Sequence, residues 1–71
     1  MNAAKEILAK ALEYDNESLG YFEQFQKTDN AELARIYRET SSGYDGRVRG
    51  LLEAYAMVTG RKVRTWEINE E

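Results

Sequence analysis

The sequence predicts an all-α fold, an antiparallel two-helix hairpin with a short extended C-terminal tail. Three observations carry this expectation. The 71 residues include no proline, so no position removes a helix hydrogen bond. Apolar residues recur at steps of three and four in two long runs. One cluster of turn-forming residues, Lys27-Thr28-Asp29-Asn30, separates the runs.

The first helix is expected over about residues 3–27. Asn2 is a suitable N-cap, because its short side-chain carbonyl can accept a bond from an otherwise unsatisfied amide. Ile7, Leu8, Ala11 and Leu12 begin an apolar face that Leu19, Phe22 and Phe25 continue. Asp15-Asn16 and Gly20 weaken the middle, but the face keeps its phase across them. Thr28 or Asp29 is then placed to cap a second helix, with Asp29 and Glu32 at capping-box spacing. A connection this short sets the helices antiparallel.

The second helix is expected over about residues 30–59. Its seam runs Leu33, Tyr37, Thr40, Tyr44, Arg47, Leu51, Ala54, Val58, a heptad alternation of fours and threes. Val48, Leu52 and Tyr55 widen it. Gly43, Gly46 and Gly50 each cost about 1 kcal/mol relative to alanine inside a helix. A kink or break near 41–46, with Ser42 and Asp45 as a local cap, is therefore the competing expectation. Glycines there would also let a neighbouring backbone come close. Gly60 is suited to the left-handed residue that ends the helix. Beyond it, residues 60–71 form the tail, with Lys62, Arg64, Trp66 and Ile68 on one side of an extended strand.

Folding the chain at residue 28 brings Leu8 opposite Val48, Leu12 opposite Tyr44, Leu19 opposite Tyr37 and Phe22 opposite Leu33 and Ala34. Two helices cannot enclose faces this wide. The expected unit is a homodimer forming a four-helix bundle, with Leu8, Leu12, Leu19, Phe22, Tyr37, Tyr44, Arg47, Leu51 and Tyr55 at the seams. A monomer offering the same face to another protein is the alternative. Asp15 and Arg47 sit on the seams as isolated charges, and a dimer offers a way to pair them.

Composition narrows the function. Cysteine and histidine are both absent, which removes disulfides, thiolate metal sites and the commonest general base. No glycine-rich phosphate loop occurs, and Ser18, Ser41 and Ser42 have no imidazole partner. Glu6, Glu13, Glu17 and Glu23 fall on the polar side of the first helix and are read as a solvated face. The expectation is a protein that is not an enzyme and uses no cofactor or metal. No apolar run approaches the roughly 20 residues that cross a bilayer, and the N-terminus lacks signal-peptide organisation; a cytoplasmic protein without membrane contact is expected.

Charge is unevenly distributed about a net of −3. Residues 1–32 carry seven acids and three lysines, a balance of −4, while residues 33–66 carry seven bases and three acids, a balance of +4. Arg38, Arg49, Arg61, Lys62 and Arg64 are the candidates for a nucleic-acid contact. Local partners dilute that field: Arg35 has Glu32 and Glu39 nearby, and Arg49 has Asp45 and Glu53. A second minor reading places a small anionic ligand such as a nucleotide at Arg47, beside Tyr44 and Tyr37. Trp66 has two expected roles, packing back onto the bundle or inserting into a partner's pocket.

The stretch "RVRGLLEAYAMVTGRKVRTW", residues 47–66, resembles the C-terminal part of small helical proteins encoded by bacteriophages and mobile elements. The resemblance rests on the glycine-terminated "AYxxVTG" helix end. It implies a protein–protein interaction role, such as an adaptor, regulator or inhibitor of a host protein, and assigns no individual residue.

Overall fold

The computed structural model describes residues 2–70. It is a helical hairpin in which α1 (Ala3–Lys27) and α2 (Ala31–Thr59) pack against each other. A 3-10 helix over Thr65–Glu70 follows, and no strand occurs among the described residues. Glu71, the end of the expected tail, lies outside the described residues.

Local chemistry sets each boundary. Asn2 caps α1, its side chain accepting from the Lys5 amide at 3.2 Å. The second cap differs from the expectation. It is Asn30, one residue beyond Asp29, and its Oδ1 accepts from the amides of Glu32 and Leu33, both at 3.0 Å. A single side chain thus satisfies two open helix donors. Thr28 supports it by accepting from the Asn30 amide. α2 runs unbroken through residues 41–46, so Ser42 and Asp45 start no helix. Gly60 ends it with φ 74° and an amide bonded to the Ala56 carbonyl at 2.7 Å, a left-handed geometry that glycine adopts without a Cβ clash.

The interhelical register is displaced from the expected one. Because residues 28–30 form the connection, the hairpin turns about Asp29, and facing positions move accordingly. Tyr14 faces Tyr44, Tyr21 faces Tyr37, and Ser18 faces Ser41. One row of the α2 seam also moves. Tyr37, Tyr44 and Leu51 do face α1, half-buried, but the buried row is Ser41, Val48 and Tyr55. The expected row of Leu33, Thr40, Arg47 and Ala54 lies one residue outward. Small residues fill part of the new interface. Ala11 is 0 % exposed, and Ser18 and Ser41 bring their hydroxyls within 3.0 Å of each other; such side chains let two helix backbones approach where larger ones hold them apart.

The glycines play no such part. A Cβ on Gly20, Gly43, Gly46 or Gly50 would meet nothing within 4 Å, so none of them makes room for a neighbouring backbone within the hairpin.

The tail is not an extended strand. Arg64 opens the 3-10 helix with a reciprocal pair of bonds: the Glu67 amide donates to the Arg64 carbonyl at 2.8 Å, and the Arg64 amide donates to Glu67 Oε1 at 3.2 Å, the logic of a capping box. This turn folds Val63 and Ile68 inward, where they join Leu8, Ala11, Val48 and Tyr55 in one core cluster. The core therefore sits at the open end of the hairpin, and the tip near Asp29 has none.

Candidate functional site

Two surfaces set aromatic side chains beside basic groups. The first is an aromatic ladder along one side of the hairpin. The Tyr14 and Tyr44 ring centroids are 5.7 Å apart, Tyr44 and Tyr21 stack at 5.8 Å with planes 9° apart, and Tyr21 meets Tyr37 at 6.4 Å. These are favourable separations for rings that are only half-buried. The Arg47 guanidinium stands over Tyr44 at 5.1 Å and Tyr14 at 5.6 Å, and the Lys10 ammonium approaches Tyr14 at 5.4 Å. α1 and α2 are thus joined on this side by π-faces and cations.

Leu19 and Phe22, expected at the seam, are exposed. Leu19 is 58 % exposed, and the Phe22 ring packs beside Phe25. The tyrosines at 14 and 21 take the inward positions instead, so α1 turns Leu19 to solvent. Of the remaining seam residues, Leu8 and Tyr55 are buried, Leu12 and Leu51 are half-buried, and Arg47 is exposed. Asp15 makes no ion pair with Arg47. It stands near Asp45, and burial, aided by that second carboxylate, raises its pKa above the ordinary aspartate value. Asp45 is itself anchored: the Ser18 hydroxyl donates to it at 2.6 Å, while the Ser41 hydroxyl donates to the Ser18 carbonyl at 3.0 Å. Sequence spacing contains no signal for this cross-helix network, since its members lie 23 and 27 residues apart.

The second surface is an open groove between α2 and the tail, walled by Val48, Arg49, Leu52, Lys62, Arg64 and Trp66. Trp66 is 72 % exposed and does not pack into the core. Its ring lies under the Arg64 guanidinium at 5.4 Å. The structural role expected of it belongs to Val63 and Ile68. Arg49, Lys62 and Arg64 share the groove with Asp45, Glu53 and Glu67, and Arg64 Nε is 4.0 Å from Glu67. Arg38 and Arg61 are exposed elsewhere. Among the described residues, neither Arg35 nor Arg49 makes its expected local ion pair; the pairs formed along the helices are Lys10–Glu13 and Lys27–Glu23.

Among the described residues, no group of three or more acids could hold a metal ion, and no helix is long and apolar enough to cross a membrane. The chain gives no significant match to a known family, a curated protein or a solved structure. The chain is an α-helical hairpin.

Proposed function

We propose that the protein is a small non-enzymatic interaction module, whose partners are a second copy of itself and another protein for which it serves as adaptor, regulator or inhibitor. The carrying observation is the amount of surface left open. The accessible surface is 5421 Å², against about 4,500 Å² for a compact monomer of 8.2 kDa. The radius of gyration is 13.9 Å, against about 11 Å for a compact chain of this length. Large apolar side chains contribute to it: Leu19, Ile36, Met57, Val58 and Trp66 are all between 47 and 87 % exposed. Side chains of this kind are worth about 1.5–3 kcal/mol each when fully covered.

The two surfaces suit different partners. The aromatic ladder runs beside the exposed outer side of α2 and suits a second hairpin. The groove presents Trp66 with cations and carboxylates around it, the composition of a protein-binding hot spot. The resemblance of residues 47–66 to phage-encoded and mobile-element proteins agrees with a host-protein target. Nucleic-acid binding is less supported, because the acids in the groove oppose the basic residues there. A nucleotide at Arg47 is also less supported, since its guanidinium already lies over two rings.

Sedimentation equilibrium tests the first partner and affinity capture the second. The expected results are a mass twice that of the chain, and a stoichiometric host protein retained by the parent and lost with Trp66→Ala. A monomer that retains nothing would refute the proposal.

A further inference from the structure

α2 has an uncharged side wider than its contact with α1. At 100° per residue, the side from Gly43 round to Ala34 spans about 180°, and Arg47 is the single charge on it. α1 covers the edge formed by Ser41, Val48 and Tyr55. Beside it runs the row Leu33, Thr40, Arg47, Ala54, with Leu33 and Arg47 exposed and Thr40 and Ala54 half-buried, flanked by half-buried Tyr37, Tyr44 and Leu51 and by exposed Val58. That row points about 100° away from α1, close to the corner angle between neighbours in a four-helix bundle.

The spacing of these two rows is the same read in either direction. Reversed about the midpoint between Asp45 and Gly46, Leu33 falls on Val58, Tyr37 on Ala54, Thr40 on Leu51 and Tyr44 on Arg47. A two-fold interface requires such self-complementarity, because residue i must suit residue j while j suits i. The midpoint pairing also suits Arg47. The residue already lies 5.1 Å from its own Tyr44 ring, and the reversed register offers it a second tyrosine. No carboxylate on this side of α2 would be buried by the contact.

Resting on the self-association proposed above, we infer that α2 pairs antiparallel with α2 of a second copy, in the register that sets Leu33 against Val58 and Tyr44 against Arg47 about a two-fold axis. The open surface of the whole chain is of the order that such a contact needs. The chain exposes about 900 Å² more than a compact monomer, and each partner in a standard stable interface contributes about 800 Å². The groove beside Trp66 lies on the other side of α2 and stays open in this arrangement.

The absence of cysteine gives a direct test. In the double variant Leu33→Cys/Val58→Cys, the two positions are 41 and 60 % exposed, so the substitutions spare the core. They lie about 37 Å apart along one helix and cannot join within a chain. The control, Arg38→Cys/Glu53→Cys, has the same reversed register on the charged side of α2. Mild oxidation is followed on denaturing gels, beside sedimentation of the parent chain. The expected result is a dimeric parent and linkage of 33 to 58 at least ten times faster than in the control. A dimeric parent with equal rates in the two variants would overturn the register and leave self-association standing. A monomeric parent at 100 µM would overturn both.

Discussion

Ser18 Oγ lies 2.6 Å from Asp45 Oδ1, a bond that ties the two helices together. A hydroxyl giving its proton to a carboxylate in a half-sheltered place makes a strong hydrogen bond. Ser18→Ala is expected to cost about 1.5–3 kcal/mol, the range for bonds to charged groups. Asp45→Asn keeps an acceptor and is expected to cost less. Urea unfolding of the two single variants and the double variant should return a coupling energy clearly above zero; strict additivity would show that the bond contributes nothing.

Asp15 gives a pH dependence. Burial, with Asp45 nearby, raises its pKa in the folded chain, so the folded state holds the proton more tightly than the unfolded state. The stability contributed by this group is therefore present in acid, and it falls as pH rises from the ordinary aspartate pKa to the raised one. Asp15→Asn is expected to raise the melting temperature at pH 7, with the advantage shrinking on acidification towards the ordinary value. Thermal melts of both proteins from pH 3 to pH 7 check this. An advantage that stays constant across the range contradicts it.

The glycines of α2 and its terminus should respond in opposite directions. Gly46 sits in regular helix, and a methyl group added there would meet nothing within 4 Å, whereas Gly60 holds φ 74°. Gly46→Ala is expected to stabilise by about 0.5–1 kcal/mol. Gly60→Ala is expected to destabilise by about 1 kcal/mol, because the left-handed backbone is strained for alanine. Differential scanning calorimetry reads both, and a loss of stability in Gly46→Ala would place that position against something the hairpin alone does not contain.

The tail separates anchoring from exposure. Ile68 is 5 % exposed and Trp66 72 %. Ile68→Ala is expected to cost about 2–4 kcal/mol, as for truncations in a core. Trp66→Ala is expected to change stability by less than about 0.5 kcal/mol, as for surface sites. Tryptophan fluorescence of the parent should be quenched efficiently by iodide; a shielded signal would count against the exposed placement.

The hairpin, its helix limits and its glycine stop were legible because each depends on neighbours in sequence: Asn2 and Gly60 act within one turn, and the 3.6-residue period survives the weak positions. Three features were not. Leu33 and Thr40 read as better core residues than Ser41, yet Ser41 bonds Ser18 across the hairpin and is buried, and the seam rotates by one residue. Thr28, Asp29 and Asn30 all carry capping chemistry, and only geometry shows that Asn30 reaches two amides. The tail reads as strand because Arg64 and Glu67 give no sign in sequence that they will bond each other. The Ser18–Asp45 bond joins residues with no local relation, so its discovery needed the fold.

Val48 is 2 % exposed, and among the described residues no larger side chain is more completely sealed. Among the described residues six apolar side chains are buried, a small core as expected of a short chain, and any molecule that binds the closed form adds RT ln(1 + [L]/Kd) to its endurance. Were that molecule another copy, as proposed, resistance to proteases would depend on abundance: scarce chains would open and be cleared, and plentiful chains would persist. The thinness of the core would then act as a dosage threshold written into the fold.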